Sequence, residues 1–312
     1  MELFTERKEI KKNRMKKRDA FSDMHPAVSF FFFIFVLAVT MLVNHPAVLA
    51  ISFTAALCLS VYLKGRAALK LLLAFVLPVM LLTACLNPLF NHAGVTMLFY
   101  LSNGNPVTLE AICYGIAASC MFGSVLMWFS CYNHVMTSDK FIYLFGRVIP
   151  SLSLLLSMAL RFVPRFSQKI KETQNAQRFI GRDIKSGNIF KRIYCALRII
   201  SITVTWALES AVVTADSMKS RGYGLRGRTA YSIYHFDSRD RTVMAAFALC
   251  AVIFAAEILT GGIYIRYYPT IRMNGTTVFS VAGHTAFFIS CFLPTILNIM
   301  EDIRWKSLES KI

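Results

Sequence analysis

Apolar runs about as long as a bilayer is thick leave this chain few architectures. They occupy residues 27–43, 46–63, 69–86, 108–132, 243–259 and 277–299. A helix crossing the hydrocarbon needs ~20 apolar residues, with ~17 as the lower limit. In lipid every backbone N–H and C=O must be paired within the segment or its bundle, which selects helices for such runs. The first two runs are separated only by Asn44 and His45, so they are expected to form a tight helical hairpin. Pro78 lies inside the third and is expected to kink it. Apolar residues make up 56% of the 312 residues, above the ~45–50% usual in soluble domains. The fold class expected is therefore an all-α polytopic membrane protein with about six transmembrane helices.

Charge orients these helices. The chain carries a net +17, a balance that in a soluble protein points to nucleic acid, yet the basic residues are unevenly spread. Eight Lys or Arg fall in the first 20 residues, and 133–242 holds 18 basic against 7 acidic residues. The loop 87–107 has no Lys or Arg, and 260–276 has only Arg266 and Arg272. With both termini inside and six spans, 32 of 34 basic residues lie on the cytoplasmic side, as the positive-inside rule requires. The organisation expected is a basic cytoplasmic segment (1–23), spans one to four (24–132), a cytoplasmic helical domain (133–242), spans five and six (243–300) and a cytoplasmic tail (301–312). The apolar stretch 141–160 contains Arg147 and Pro150. Were it to cross, 15 basic residues would lie outside, so it is expected at the interface or within the cytoplasmic arm. The long, charged N-terminus is not expected to be a signal peptide.

Familiar catalytic patterns are absent. The eight cysteines lie mostly in apolar runs with no Cys-x-x-Cys pair, and the six histidines show no metal-ligand spacing. No metal site is expected. There is no phosphate loop and no Gly-x-Ser-x-Gly elbow. Neither enzymatic activity nor a cofactor of the chain's own is expected. Glu257 in the fifth run and Glu110 near the start of the fourth are the carboxylates at membrane depth. Such groups are functional candidates, although each could simply hydrogen-bond a neighbouring helix.

The chemistry-bearing pattern is a pair of helix ends. In 207–224, Leu208, Ala211, Ala215 and Met218 recur at helical spacing. Ala207, Ala211 and Ala215 would admit a close backbone, and Gly222 supplies the residue that stops the helix at positive φ. Ser220, Arg221 and Gly222 thus present a guanidinium at a helix tip, where the dipole favours it and a partner carboxylate could pair with it. A second stretch, 159–181, has the same plan, with Arg161 and Pro164 followed by a polar helical run and then Arg178, Phe179, Ile180 and Gly181.

Together the two stretches resemble the T component of energy-coupling factor (ECF) transporters, including its cobalt-type members. That family carries Ala-Leu-Arg-Phe-(Ile/Val)-Pro, then Ala-Gln-x-x-Arg-Gly, and later Ala-Leu-Glu…Ala…Met…x-Arg-Gly-Tyr. Here these correspond to Ala159 through Pro164, Ala176 through Gly181, and Ala207, Leu208 and Glu209 through Tyr223. Asn87-Pro88-Leu89-Phe90 and Glu110-Ala111…Tyr114-Gly115 also sit where the family tends to have them. The resemblance implies a coupling subunit in the cell membrane whose partners are two ATP-binding cassette ATPases, which bind the ATP, and a small substrate-binding membrane subunit. It implies uptake of a vitamin or a transition metal, with no nucleic acid involved. Ser220, Arg221 and Gly222 match the second coupling motif. The first departs, because Ile180 stands where relatives carry Arg, with Arg178 and Arg182 two residues to either side. Either one of these substitutes from a shifted angle or that contact is apolar.

Two other classes remain. A membrane-anchored sensor or scaffold with a nucleic-acid- or protein-binding arm would need a compact recognition unit in 133–242, where long helical runs are expected instead. An independent secondary carrier would show repeated broken spans and more polar residues at depth.

Overall fold

The computed structural model describes residues 19–100, 105–146, 149–182, 188–225, 234–275 and 277–310. Most of the basic N-terminal arm, together with Arg147, lies outside them. The chain divides into two compact units, one comprising residues up to Thr137 and from Tyr234 onward, the other Ser138–Ile233.

The first unit begins with α1 (Pro26–Leu42) and α2 (Pro46–Lys64), the expected hairpin. His25 and His45 are their N-caps, each followed by a proline at N1, a position that needs no N–H. The helix α3 (Arg66–Phe90) follows without a gap, and Leu72–Val76 within it is a π-helical turn. Pro78 offers no N–H to its preceding turn, so the break expected there is taken up as a wider turn just upstream. α4 is Leu109–Val135, α8 is Ser238–Leu259 and α9 is Val278–Glu309. The capping box of Asp237 and Asp240 starts α8 ahead of its apolar run.

Several boundaries differ from those expected. α3 continues through Asn87 and Pro88 to Phe90, and the rest of the 87–107 stretch contains an antiparallel hairpin of β1 (Met97–Tyr100) and β2 (Pro106–Thr108). A shorter pair, β3 (Ile265–Arg266) and β4 (Arg272–Met273), lies between α8 and α9. α9 runs on through the polar tail to Glu309, where Tyr62 Oη donates to Asp302 (2.8 Å) and Arg239 pairs with Glu301 (2.6 Å). These side chains anchor α2 and α8 against the polar extension.

Phe32 and Phe33 of α1 sit at the middle of the core, edge-on to Trp128 of α4 at 5.6 and 6.2 Å. Phe247, Phe254 and Phe287 extend the cluster into α8 and α9. The Trp128 indole N–H donates to Ser52 Oγ (2.9 Å), which also shares a hydrogen bond with Thr40 (2.7 Å). These three buried polar side chains are thus paired between helices, as a membrane bundle favours. At one end of the bundle, Tyr267 Oη donates to the Asn44 carbonyl and Asn91 donates to Tyr268 Oη. Three helix connections are tied together there.

The second unit holds α5 (Ser138–Gly146), α6 (Pro150–Phe179) and α7 (Ile189–Ser220). Among the described residues six helices are long and apolar enough to cross a membrane: α2, α3, α4, α7, α8 and α9. The number matches the expectation, but the set does not. α1, at 17 residues, stands at the lower limit for a span, and α7, expected in the cytoplasmic arm, meets the length and composition. The cause is the stretch between Arg198 and Glu209, which contains no ionisable residue. The 141–160 segment is split between α5 and α6 and is not among the six. The molecule is an all-α, multi-pass membrane protein.

Candidate functional site: two capped helix ends

α6 and α7 pack through a small aromatic contact. Phe166 meets Trp206 edge-on at 5.8 Å, and the Lys169 ammonium lies 5.7 Å from the Trp206 ring centroid. A cation held over an indole face gains from its quadrupole. Thr173 on α6 and Cys195, Ile199 and Thr203 on α7 are the other buried positions of this pair. The Cys195 thiol donates to the Arg182 carbonyl (3.2 Å), so the segment after α6 is held to the start of α7. Chain direction puts the end of α6 beside the beginning of α7, and the end of α7 lies away from it. From the shared Phe166–Trp206 contact, ~13–14 residues lead to each tip at ~1.5 Å per residue. The tips are therefore about 30–40 Å apart.

Both tips close in the same way. At the end of α6 the N–H of Gly181 donates to Arg178 O (3.0 Å) and that of Arg182 to Gln177 O (2.9 Å). For α7, Gly222 donates to Lys219 O (3.0 Å) and Tyr223 to Met218 O (3.0 Å). Gly181 and Gly222 each have φ +77°. This is the left-handed glycine closure that satisfies the last helix carbonyls. The caps just before them are nearly superimposable in backbone angle, Ile180 at φ −89°, ψ 12° and Arg221 at φ −87°, ψ 10°.

The equivalence fixes the role of each position. Arg221 is the C-cap of α7, one residue beyond the last helical residue Ser220, and Ile180 is its counterpart on α6. Phe179 matches Ser220. Arg178 and Arg182 match Lys219 and Tyr223, so neither arginine occupies the position that Arg221 holds on the other tip. The Arg182 amide and carbonyl are both engaged in closing α6. Phe179 is 90% exposed and Ile180 68% exposed, so the cap position is apolar on this tip and cationic on the other, with the exposed Arg178 and Arg182 to either side of it. Arg161, Pro164 and Glu209 are exposed along the shafts, with Pro164 accommodated inside α6. Ala211 and Ala215 are exposed too, beyond the Trp206 contact, so this part of α7 is open to a partner.

The motifs of the membrane unit also meet. Asn87 Nδ2 donates to the Ala111 carbonyl (2.6 Å), joining the Asn87-Pro88 and Glu110-Ala111 segments across α3 and α4. Glu110 accepts from Thr96 Oγ1 (2.9 Å) and from the Thr96 amide, so it ties Thr96 to the start of α4. Of the histidines, spacing along the chain gave no hint that His45 and His284 would touch. They are 239 positions apart and 3.3 Å from each other. Among the described residues, no group of three or more His, Cys, Asp or Glu side chains is placed to hold a metal ion.

His45 is half-buried, and burial together with the neighbouring His284 lowers its pKa from the usual 6.5. A histidine depressed in the folded state binds its proton more readily when unfolded, so the stability it supports is present above pH 6.5 and declines as pH falls below it. His45→Gln is expected to flatten the acid limb of a thermal-stability profile. An unchanged limb in a melting series from neutral to acidic pH would contradict this.

No family model matches the chain. It is similar to the energy-coupling factor transporter transmembrane protein EcfT of Bacillus selenitireducens, 34% identical over 112 residues, covering 36% of this chain and 42% of the relative. The EcfT of Lactobacillus helveticus is 34% identical over 102 residues (32% and 37%), and EcfT 1 of Listeria monocytogenes is 31% identical over 118 residues (38% and 41%). The chain spans about two fifths of the length of these relatives. Over that matched third of its length, this chain is similar to the energy-coupling factor transporter transmembrane protein EcfT.

Proposed function

We propose that the chain is the coupling subunit of an ECF-type importer of the ATP-binding cassette class. Its two helix ends dock on two ATPase subunits and pass their nucleotide-driven motion to a small substrate-binding membrane subunit. The observation that carries this is the same glycine closure on the ends of both helices of one packed pair, one tip for each of two partners. A helix end laid into a groove takes affinity from its apolar face and register from the tip. The chain supplies no ATP chemistry of its own; the nucleotide would be bound by the ATPases. The cargo, a vitamin or a transition metal, would be recognised by the substrate-binding subunit. Affinity purification in mild detergent is the direct test. ATP-binding cassette subunits should co-purify with the chain, and their absence from an active preparation would end the proposal.

The apolar tip offers a sharper test. Ile180 and Arg221 occupy the same position on equivalent caps, so Ile180→Arg adds a guanidinium without disturbing the helix end. A partner that keeps a carboxylate there would tolerate it or bind more tightly. The exposed Phe179 and Ile180 argue for an apolar groove, in which an unpaired guanidinium is costly. The expected result is weaker assembly, read as loss of ATPase co-purification.

The charge distribution supports a coupling unit inside the cell. In a cysteine-free background, Val95→Cys should react with an impermeant thiol reagent from outside intact cells, and Leu225→Cys only after permeabilisation. Reaction of both from outside would put α7 across the membrane.

A further inference from the structure

Glu257 lies on α8 and is 1% exposed, within a segment apolar enough to cross the membrane. His284 of α9 places Nδ1 2.7 Å from Glu257 Oε1 and 2.7 Å from the Ser280 carbonyl oxygen. The other ring nitrogen, Nε2, is 3.3 Å from Nδ1 of His45 at the start of α2, and the two rings meet edge-on at 4.9 Å. Three titratable groups from three helices therefore form one row. Its inner end is closely fitted, since a Cβ at Gly283 would overlap the Glu257 carboxylate and one at Gly262 would come within 3.1 Å of Glu257 Cγ. The outer end borders a cleft of about 360 Å³ lined by His45, Asn274, Ser280, His284, Thr285 and Phe288. Its wall is mostly apolar, with Ala47, Ile51, Val281 and Phe288, and the polar groups of His45, Asn274, Ser280, His284 and Thr285 offer a water its hydrogen-bond partners.

Charge balance determines what the row must hold. Taking a lone carboxylate out of water costs several kcal/mol even after relaxation. Glu257 is therefore either protonated itself or balanced by a cationic His284, and in both cases one proton resides on the pair. Nδ1 of His284 faces a carbonyl oxygen, which accepts but cannot donate, so Nδ1 carries a hydrogen in either case. The variable positions are the carboxyl and Nε2, and Nε2 faces His45. Among the described residues, the titratable group that faces Glu257 is His284, and the one that faces His45 is His284 as well.

We propose that Glu257, His284 and His45 form a proton-binding site whose exchange point with solvent is His45, at the cleft. A proton arriving from water on His45 Nε2 is matched by transfer of the His45 Nδ1 proton to His284 Nε2. The resulting imidazolium balances the Glu257 carboxylate. Only N–H bonds form and break, and one proton is taken up in total. The site is independent of the coupling tips, so it stands or falls apart from the docking proposal.

The full chain, purified in detergent with 15N-labelled histidine, provides the test. At about pH 8 an ordinary histidine is neutral. The wild-type protein should nonetheless show one of two signatures: a doubly protonated His284 ring, or an infrared carbonyl band from a protonated Glu257. Glu257→Gln, which is neutral and nearly isosteric, should abolish whichever is present and leave His284 neutral. A wild-type chain with a neutral His284 and no protonated-carboxyl band at that pH would overturn the proposal, whether or not the variant folds. His45→Gln should slow hydrogen–deuterium exchange of the bound proton by an order of magnitude or more. Unchanged exchange would remove His45 from the site.

Discussion

Arg221→Ala is expected to loosen the ATPase subunits or uncouple their turnover from uptake, while leaving the chain as stable as before. The side chain is exposed, and the α7 closure is made by backbone bonds through Gly222 and Tyr223 that alanine at the cap leaves intact. Surface changes of this kind usually alter stability by no more than ~0.5 kcal/mol. Docking is another matter. Removing one side of a desolvated charge pair costs ~2–5 kcal/mol, much of it from the abandoned partner charge. That corresponds to roughly thirty-fold to several-thousand-fold weaker binding. Arg221→Lys should fall between wild type and alanine, because it keeps the charge and loses the two-pronged geometry that suits a carboxylate. Subunit co-purification and uptake measured side by side for the three proteins decide the matter. Wild-type assembly and uptake in the alanine variant would refute the docking role of this tip.

Trp128→Ala is expected to be the most damaging single change to the membrane unit. The indole is fully buried, edge-on to Phe32 and Phe33, and donates to Ser52. Lipid chains are as apolar as the side chains they meet, so the helices are held by close packing and hydrogen bonds rather than by exclusion of water. A void at the centre of that packing has nothing to fill it. Truncating a buried Trp typically costs ~3–5 kcal/mol, the cavity included. Ser52 retains its bond to Thr40, which limits the damage. Trp128→Phe should lose mainly the indole hydrogen bond and some volume, about 1–2 kcal/mol. Unfolding of the detergent-solubilised protein followed by tryptophan-independent circular dichroism would rank the two variants. Equal stability of wild type and Trp128→Ala would show that the aromatic cluster is not what joins α1 to α4.

The contrast between the two substitutions reflects how the molecule is built. In the membrane unit, side chains such as Trp128, Thr40 and Ser52 are engaged with one another. At the tips of α6 and α7, backbone bonds hold the shape and leave the side chains exposed. A backbone already fixed at the tip need not be ordered on docking, which favours binding, while each exposed side chain immobilised there costs ~0.5–1.5 kcal/mol.

The residues by themselves determined that this chain forms apolar helices, because runs of this length have no other way to pair their backbone in lipid. They also marked both helix stops at Gly181 and Gly222, since a left-handed closure favours glycine at that position. Composition was a poorer guide where a helix is apolar on exposed faces and charged toward its ends. That is why α7 was expected outside the set of span-like helices. Only the tertiary structure showed that Ile180 and Arg221 are the same position of the same cap, since this depends on backbone angles and hydrogen bonds rather than on residue type. Only it brought His45 to His284 and Glu257. Spacing along the chain reports neighbours on one helix, and these three stand on three helices whose meeting is decided by packing.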